Sequence, residues 1–114
     1  MNEKCIFCDI AQGSSPAEAV FENDNVIAFY DINPKAPTHI LVVPKKHISS
    51  IIDVTDNDRE LLGEMIKVSR DIAENKGLNE SGYRLVFNVG EHSGQVVDHI
   101  HLHLLGGKIL SQMA

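Results

Sequence analysis

The chain has 114 residues, of which 43% are hydrophobic and 23% are charged, a balance typical of a single globular domain over residues 1–114. Its formal net charge is -6 and no stretch clusters Lys and Arg, so we expect no nucleic acid polymer as a partner. Mononucleotides are not excluded, because a few donors can hold their phosphates. No apolar run approaches the ~20 residues of a membrane span, and residues 1–4 lack the apolar core of a signal peptide. We therefore expect no membrane partner and a cytoplasmic protein with reduced cysteines.

Apolar patterning and turn formers predict a short helical turn and five strands, with one long helix between the third and fourth strands. Residues 5–11 are expected to form the helical turn, which the segment from Gly13 to Pro16 ends. Asn23-Asp24-Asn25 is expected to join the first two strands as a hairpin, and two prolines force a loop at residues 31–37. The predicted strands are residues 19–22, 26–30, 39–43, 83–89 and 99–105.

The long helix carries the clearest local signals. Thr55 and Asp58 fit an acidic variant of the N-terminal capping box, and Gly77 stands where a glycine ends a helix. The apolar residues at helical spacing between them are Leu61, Leu62, Met65, Ile66, Ile72 and Ala73. Because short links join the strands, we expect antiparallel pairing. The predicted fold class is α+β, with the helices packed on a single antiparallel sheet of about five strands.

Three histidines alternate with apolar residues in the last predicted strand. Side chains alternate across a strand, so His99, His101 and His103 would share one face and the intervening apolar side chains would face the core. Three uncharged imidazoles would leave one face of the sheet without apolar packing, and three charged ones would repel each other. The pattern therefore indicates a metal site, a catalytic cluster or both, and the alternative is a polar, solvated strand face.

Residues 99–105 read HIHLHLL, which resembles the signature of the histidine triad (HIT) family. Residues 29–39, FYDINPKAPTH, resemble the family's nucleotide-binding loop, and residues 44–48 and 94–95 also match in order. The resemblance covers roughly residues 5–107. It is closest to the branch of histidine triad nucleotide-binding proteins that hydrolyse nucleoside phosphoramidates, and it implies a single domain with the HIT-like fold.

This resemblance implies covalent catalysis by the middle histidine. In the family that residue attacks the α-phosphorus and forms a nucleotidyl-histidine intermediate, so His101 would be the nucleophile. A main-chain carbonyl near the first histidine would fix its tautomer. His103 would donate to phosphate oxygens, and His39 would extend the hydrogen-bond relay from the neighbouring strand. The implied substrate is a purine nucleoside 5′-phosphoramidate, and the implied product is the purine nucleoside monophosphate.

The other nucleotide contacts are implied position by position. Asp31 would accept from both ribose hydroxyls, although a loop aspartate that caps its own turn explains the same residue without a ligand. The positions that match the apolar base slot are Phe7, Ile10, Phe29 and Ile32. The positions that match the surroundings of the phosphates are Asn88, Gly94, Gln95 and, through its main-chain N–H, Val96.

Val96 is the one departure from the family pattern that affects the chemistry. In characterised animal members a serine lies three residues before the first histidine and helps to protonate the leaving group. Val96 has no hydroxyl. The proton for the leaving group must therefore come from elsewhere, such as His101 or water.

Residues 5–8 read CIFC, a CxxC motif that can be redox-active or metal-binding. A thioredoxin-type motif would follow a strand in a βαβ unit, which the predicted elements lack. Resemblance to bacterial-type family members and to galactose-phosphate uridylyltransferases implies a structural Zn²⁺ held by Cys5, Cys8, His47 and His99. This ion would pin the N-terminal turn to the sheet and orient the strand that carries the nucleophile. The alternative is a pair of free thiols packed as small hydrophobic groups.

Two other functions stay open at this point. A different enzyme of the same family would cleave dinucleoside polyphosphates or transfer a nucleotidyl group, although a transferase would carry Gln in place of His103. The other alternative is a non-catalytic interaction module that binds a nucleotide or zinc. By resemblance we also expect a homodimer, with an interface formed by the long helix and the strand at residues 83–89, in which Leu62 or Met65 could face the partner.

Overall fold

Five strands form one antiparallel sheet in the computed structural model, which describes residues 5–113. The strands are β1 (Ala19–Glu22), β2 (Val26–Tyr30), β3 (Thr38–Pro44), β4 (Tyr83–Phe87) and β5 (Leu102–Gly106). Their spatial order is β1-β2-β3-β5-β4, so the last strand lies between β3 and β4. All neighbouring pairs are antiparallel, and the predicted α+β class is confirmed.

β1 and β2 form the predicted hairpin. The side-chain oxygen of Asn23 accepts hydrogen bonds from the main-chain N–H groups of Asn25 and Val26, at 2.8 and 2.9 Å, and so fixes the turn. β2 and β3 are buried along most of their length, which explains their nearly continuous apolar sequences.

β5 begins three residues later than predicted, at Leu102 instead of His99. The ladder with β3 stops at the pair Val42–Leu102, and Pro44 has no N–H with which to extend it. The main-chain carbonyl of Pro44 instead lies 2.8 Å from Nε2 of the His99 ring. His99 and His101 therefore lie in a non-ladder segment just before the strand, and only His103 lies within it.

The long helix α2 spans Arg59–Asn75. The predicted capping box at Thr55 and Asp58 is present, but it caps a short 3₁₀ helix, Asp56–Asp58, that leads directly into α2. Gly77 follows the helix with φ of +76°, where a side chain would be strained, and so ends it as predicted.

α2 covers one face of the sheet and closes the main core. The core side chains of α2 and of the strands include Met65, Val68, Ile72, Ile40, Val42, Leu102 and Leu104. Met65 is 0% exposed within its own chain, so the option that it faces a partner is wrong. Ile66, which the helical spacing groups with the apolar residues, is 49% exposed.

A short helix, α1 (Ile6–Gln12), packs on the other side of the sheet. Its bounds lie within one residue of the helical turn predicted at residues 5–11. Cys5 caps its start, since the sulfur accepts from the N–H of Cys8 at 3.3 Å, and Gly13 ends it with φ of +83°. Phe7 is the buried residue of α1, and it packs in a second apolar cluster with residues of β2 and β3. Among the helices described, none is both long and apolar enough to cross a membrane.

Candidate active site

His101 is a buried histidine whose ring contacts a main-chain carbonyl. Its Nδ1 lies 2.8 Å from the main-chain oxygen of His99. A carbonyl oxygen can only accept, so Nδ1 carries the hydrogen and Nε2 keeps its lone pair. The ring also lines a cavity beside α1. His101 therefore offers the unprotonated nitrogen that a nucleophile needs.

His39 and His103 form a directed hydrogen-bond relay. The main-chain N–H of Lys35 donates to Nδ1 of His39 at 3.0 Å, so the hydrogen of that ring lies on Nε2. This Nε2 is 2.9 Å from Nδ1 of His103, which must accept. The remaining nitrogen of His103, Nε2, therefore carries a hydrogen. Since His103 also lines the cavity, it can donate to a bound anion.

Both relay histidines are held in the neutral form. Burial, which is the largest cause, acts together with the neighbouring His101 and His39 to lower the pKa of His103 to about 4. Burial also lowers the pKa of His39, against the opposing effect of Asp31. At neutral pH, His103 is thus a neutral donor.

Asp31 contacts both the turn that follows it and His39 of the relay. One carboxylate oxygen accepts from the N–H of Asn33 at 2.8 Å, which is the turn-capping contact considered from the sequence. The other oxygen lies 3.4 Å from Nε2 of His39. Ligand atoms of Asp31, His39 and His103 lie close enough for a metal ion. However, the hydrogen on Nε2 of His39 occupies the short contact between His39 and His103. These side chains therefore interact through hydrogen bonds.

The cavity has a volume of about 260 Å³ and lies between α1, β2, β3 and the loop before β5. The predicted nucleotide-binding residues that line it are Phe7, Ile10, Phe29, Asp31, Ile32, Val96, His101 and His103. The lining residues that the sequence did not single out are Ile6, Pro16, Ala17, Tyr30, Leu41 and Val97. The wall is mostly apolar near α1 and carries the two histidines at one side, so it can hold a flat apolar ring next to an anionic group.

Asn88, Gly94 and Gln95 are absent from the wall of this cavity. The Gln95 amide braces the loop instead, since its oxygen accepts from the N–H of Gly90 at 2.9 Å and its nitrogen donates to the carbonyls of Ser49 and Val97. The Asn88 amide donates to the carbonyl of Ser93 at 2.9 Å. The structure therefore assigns loop-bracing contacts to the two amides, and their predicted contact with phosphate stays a prediction.

Cys5, Cys8, His47 and His99 meet at the start of α1, with their ligand atoms within 4.8 Å of one another. The contacts are 3.3 Å from Cys5 Sγ to His99 Nδ1, 3.2 Å from Cys8 Sγ to His47 Nδ1, and 3.2 Å between the two Nδ1 atoms. Tetrahedral Zn²⁺, with bonds of roughly 2.0–2.3 Å, places its ligands about 3.3–3.8 Å apart. The donor types and the spacing therefore fit this ion closely.

His99 is oriented for ligation by its other nitrogen. Nε2 donates to the carbonyl of Pro44 at 2.8 Å, so Nδ1 presents its lone pair to the cysteines. His92, in contrast, lies exposed on the short 3₁₀ helix Glu91–Ser93, outside the cluster.

Comparison with known proteins gives matches along nearly the entire chain. A family model described as "Scavenger mRNA decapping enzyme C-term binding" matches residues 4–113. The purine nucleoside phosphoramidase of Escherichia coli (strain K12) is 47% identical over 113 residues, which are 99% of this chain and 95% of that protein.

Solved structures give the same result for the fold. A HIT family hydrolase from Legionella pneumophila Philadelphia 1 is 56% identical and superposes with a TM-score of 0.93, covering 95% of this chain and 96% of that one. A Zn-bound histidine triad family protein from Mycobacterium smegmatis is 34% identical with a TM-score of 0.80, covering 91% of this chain and 75% of that one. The family resemblance of the sequence is thus confirmed: the chain is a hydrolase and belongs to the histidine triad family.

Proposed function

We propose that the chain hydrolyses the P–N bond of purine nucleoside 5′-phosphoramidates through a nucleotidyl-histidine intermediate. The observation that carries this proposal is the 2.8 Å contact between Nδ1 of His101 and the carbonyl of His99, because it leaves Nε2 free to attack. The substrate class is supported by the E. coli relative, which is named for purine nucleoside phosphoramidase activity.

The reaction has two displacements at phosphorus. Nε2 of His101 forms a bond to the α-phosphorus while the P–N bond breaks, and the amine leaves with a proton taken from solvent. Water then attacks the same phosphorus and gives up a proton to solvent, the P–Nε2 bond breaks, and the nucleoside monophosphate leaves. In both steps the Nε2–H of His103 donates to a phosphate oxygen, and His39 holds His103 in the required tautomer.

The nucleotide is oriented by the walls of the cavity. Asp31, which lines the cavity, accepts from the ribose hydroxyls through its carboxylate. The base lies in the apolar slot formed by Phe7, Ile10, Phe29 and Ile32, and the main-chain N–H of Val96 is available to the phosphate. Asn88, Gly94 and Gln95 contact the phosphates, and the amides of Asn88 and Gln95 also brace the loop that carries Val96.

Replacement of the nucleophile tests this mechanism. His101→Ala should lower the rate of adenosine phosphoramidate hydrolysis by roughly a thousandfold or more, because the covalent route is removed. Binding of adenosine monophosphate should persist, and His92→Asn, on the exposed turn, serves as the matched control. If His101→Ala still turns over adenosine phosphoramidate at the wild-type rate, the mechanism is wrong.

Comparison of substrates separates the proposal from its closest alternative. The wild-type enzyme should act on adenosine and guanosine phosphoramidates faster than on diadenosine polyphosphates. Faster cleavage of the polyphosphates would favour a dinucleoside polyphosphate hydrolase that uses the same His101.

We also propose that Cys5, Cys8, His47 and His99 bind a structural zinc ion. The set supplies four ligands and no open position, so the ion would hold α1 against the sheet without reacting with substrate. Thiolate ligands require reduced cysteines, which fits the cytoplasm. Elemental analysis of the purified protein should give one zinc per chain. A metal-free protein with reduced, ordered cysteines would refute the assignment.

We further propose that the chain forms a homodimer through α2 and β4, since β4 is an outer strand of the sheet.

A further inference from the structure

His99 belongs to the ligand cluster and to the active site at the same time. Its Nδ1 lies 3.3 Å from Cys5 Sγ and 3.2 Å from His47 Nδ1. Its main-chain oxygen accepts the hydrogen of His101 Nδ1 at 2.8 Å. A change in the position of His99 therefore moves the acceptor that fixes the tautomer and the ring plane of the nucleophile.

α1 provides a second connection between the two sites. The helix has seven residues, too few for stability on its own, so its position depends on anchors to the rest of the chain. Cys5 and Cys8 supply anchors at its start, and Phe7 lies between them in sequence. The ring of Phe7 packs edge-on against His99 and His101, with centroids 5.9 and 5.1 Å apart.

The four-ligand cluster brings lone-pair donors into contact. Nδ1 of His99 presents a lone pair, because its Nε2–H is committed to the carbonyl of Pro44. Nδ1 of His47 lies 3.2 Å from this atom, and the sulfurs of Cys5 and Cys8 lie 3.3 and 3.6 Å from it. A bound cation would join all four ligands at once, whereas the protons of the thiols join them only in pairs, so the position of His99 depends on what the cluster holds.

We propose that His99 and Phe7 are positioning residues through which occupancy of the Cys5–Cys8–His47–His99 cluster controls the orientation of His101. This inference rests on the proposed function, in which the cluster holds zinc and His101 is the nucleophile. With zinc bound, the His99 carbonyl and the Phe7 ring hold His101 with its hydrogen on Nδ1. Without it, His101 exchanges between tautomers and ring orientations.

The tautomer of His101 can be observed directly by long-range ¹H–¹⁵N correlation spectra of protein labelled at histidine. The zinc-loaded enzyme should give one tautomer with the hydrogen on Nδ1. Chelator-treated protein and Cys8→Ser should give averaged ¹⁵N shifts for His101 while staying folded. Their kcat should fall by about tenfold to a hundredfold, with a smaller change in KM, as is typical when support of a site is lost.

Gly13→Ala is the matched control for a general loosening of α1. Gly13 has φ of +83° and no atom within 4 Å of an added Cβ, so alanine strains the end of the helix without touching the cluster or the cavity. This variant should lose stability but keep its zinc, its His101 spectrum and its kcat.

Phe7→Leu keeps the proposal testable if removal of zinc unfolds the protein. This variant retains all four ligands, so its zinc content should be unchanged while the His101 shifts become averaged and kcat falls. A wild-type His101 spectrum and kcat in Phe7→Leu, or in folded zinc-free protein, would overturn the proposal. If the wild-type enzyme does not hydrolyse phosphoramidates at all, the proposed function fails, whereas the spectra still decide whether the cluster controls His101.

Discussion

The site histidines His99, His101 and His103 each have one ring nitrogen occupied by a different partner. In His99, Nε2 donates to the Pro44 carbonyl, so Nδ1 is free to be a ligand. In His101, Nδ1 donates to the His99 carbonyl, so Nε2 is free to attack. In His103, Nδ1 accepts from His39, so Nε2 is free to donate. In the proposed mechanism, the occupied nitrogen therefore gives the same side chain three different roles, as a metal ligand, a nucleophile and a hydrogen-bond donor.

Val96 is the position at which the proposed mechanism lacks a proton donor for the leaving group. It lines the cavity together with His101 and His103, and it is 87% exposed. A serine hydroxyl at this position would supply such a donor beside the cavity, whereas the valine methyl groups leave protonation to solvent. An exposed position also has little packing to lose, so its chemistry can be changed without disturbing the fold.

Val96→Ser should therefore speed the release of basic amines. We expect kcat/KM for an alkylamine phosphoramidate to rise by about tenfold, a fraction of the roughly 10²- to 10⁴-fold that a well-placed proton donor contributes. The rate for a nitroaniline leaving group, which needs little protonation, should not change. Val96→Ala removes the same bulk without adding a hydroxyl and is the control. If the Ser and Ala variants have the same rates on both substrates, residue 96 does not supply the proton.

Among the secondary-structure elements, local sequence signals predict those turns and helix ends that depend on a single nearby residue. The turn at Asn23, the capping box at Thr55 and the helix end at Gly77 are all present. The start of β5 could not be predicted in this way. The alternating pattern continues through His99, but the competing partner of that residue is the carbonyl of Pro44, 55 positions away. No local pattern contains such a contact.

In the candidate site, too, the sequence predicts the residues that belong to motifs and misses those that only tertiary packing brings together. The family motifs carry Asp31, His101 and His103, which line one cavity. They also carry His39, which contacts His103 and Asp31. Wall residues such as Ile6 and Pro16 were missed because they reach the cavity only through the docking of α1. Leu41 could have been found, since it pairs with Phe29 across the ladder of β2 and β3.

In the complete fold, one face of the sheet packs in the main core and the other face carries the cavity. α2 closes the main core on one side, where the largest buried cluster lies. α1 is much shorter and covers only part of the other side, which leaves room for the cavity beside it. Catalytic groups can therefore be exposed to substrate without opening the core that holds the sheet together.

β4 is the outer strand next to β5, which carries His103. All of its residues are partly exposed, and Val86 lies opposite His103 in the ladder. Within residues 5–113, β4 pairs with β5 alone, so its outer side offers unpaired main-chain groups together with apolar side chains. Such an edge favours pairing with a second copy of the chain, which would join the two sheets close to both active sites.

A charge on the helix face should separate the two chains if α2 contributes to this interface. We expect the wild-type protein to sediment as a dimer at micromolar concentration and Ile66→Glu to sediment as a monomer, because the carboxylate would be buried without a partner. The monomer should stay folded, since Ile66 is 49% exposed in the single chain. Ile52→Glu is the matched control, because Ile52 is 74% exposed and belongs to the 3₁₀ helix Ile51–Asp53, outside α2 and β4. A monomeric wild-type protein would refute the dimer, and a dimeric Ile66→Glu variant would exclude this face of α2 from the interface.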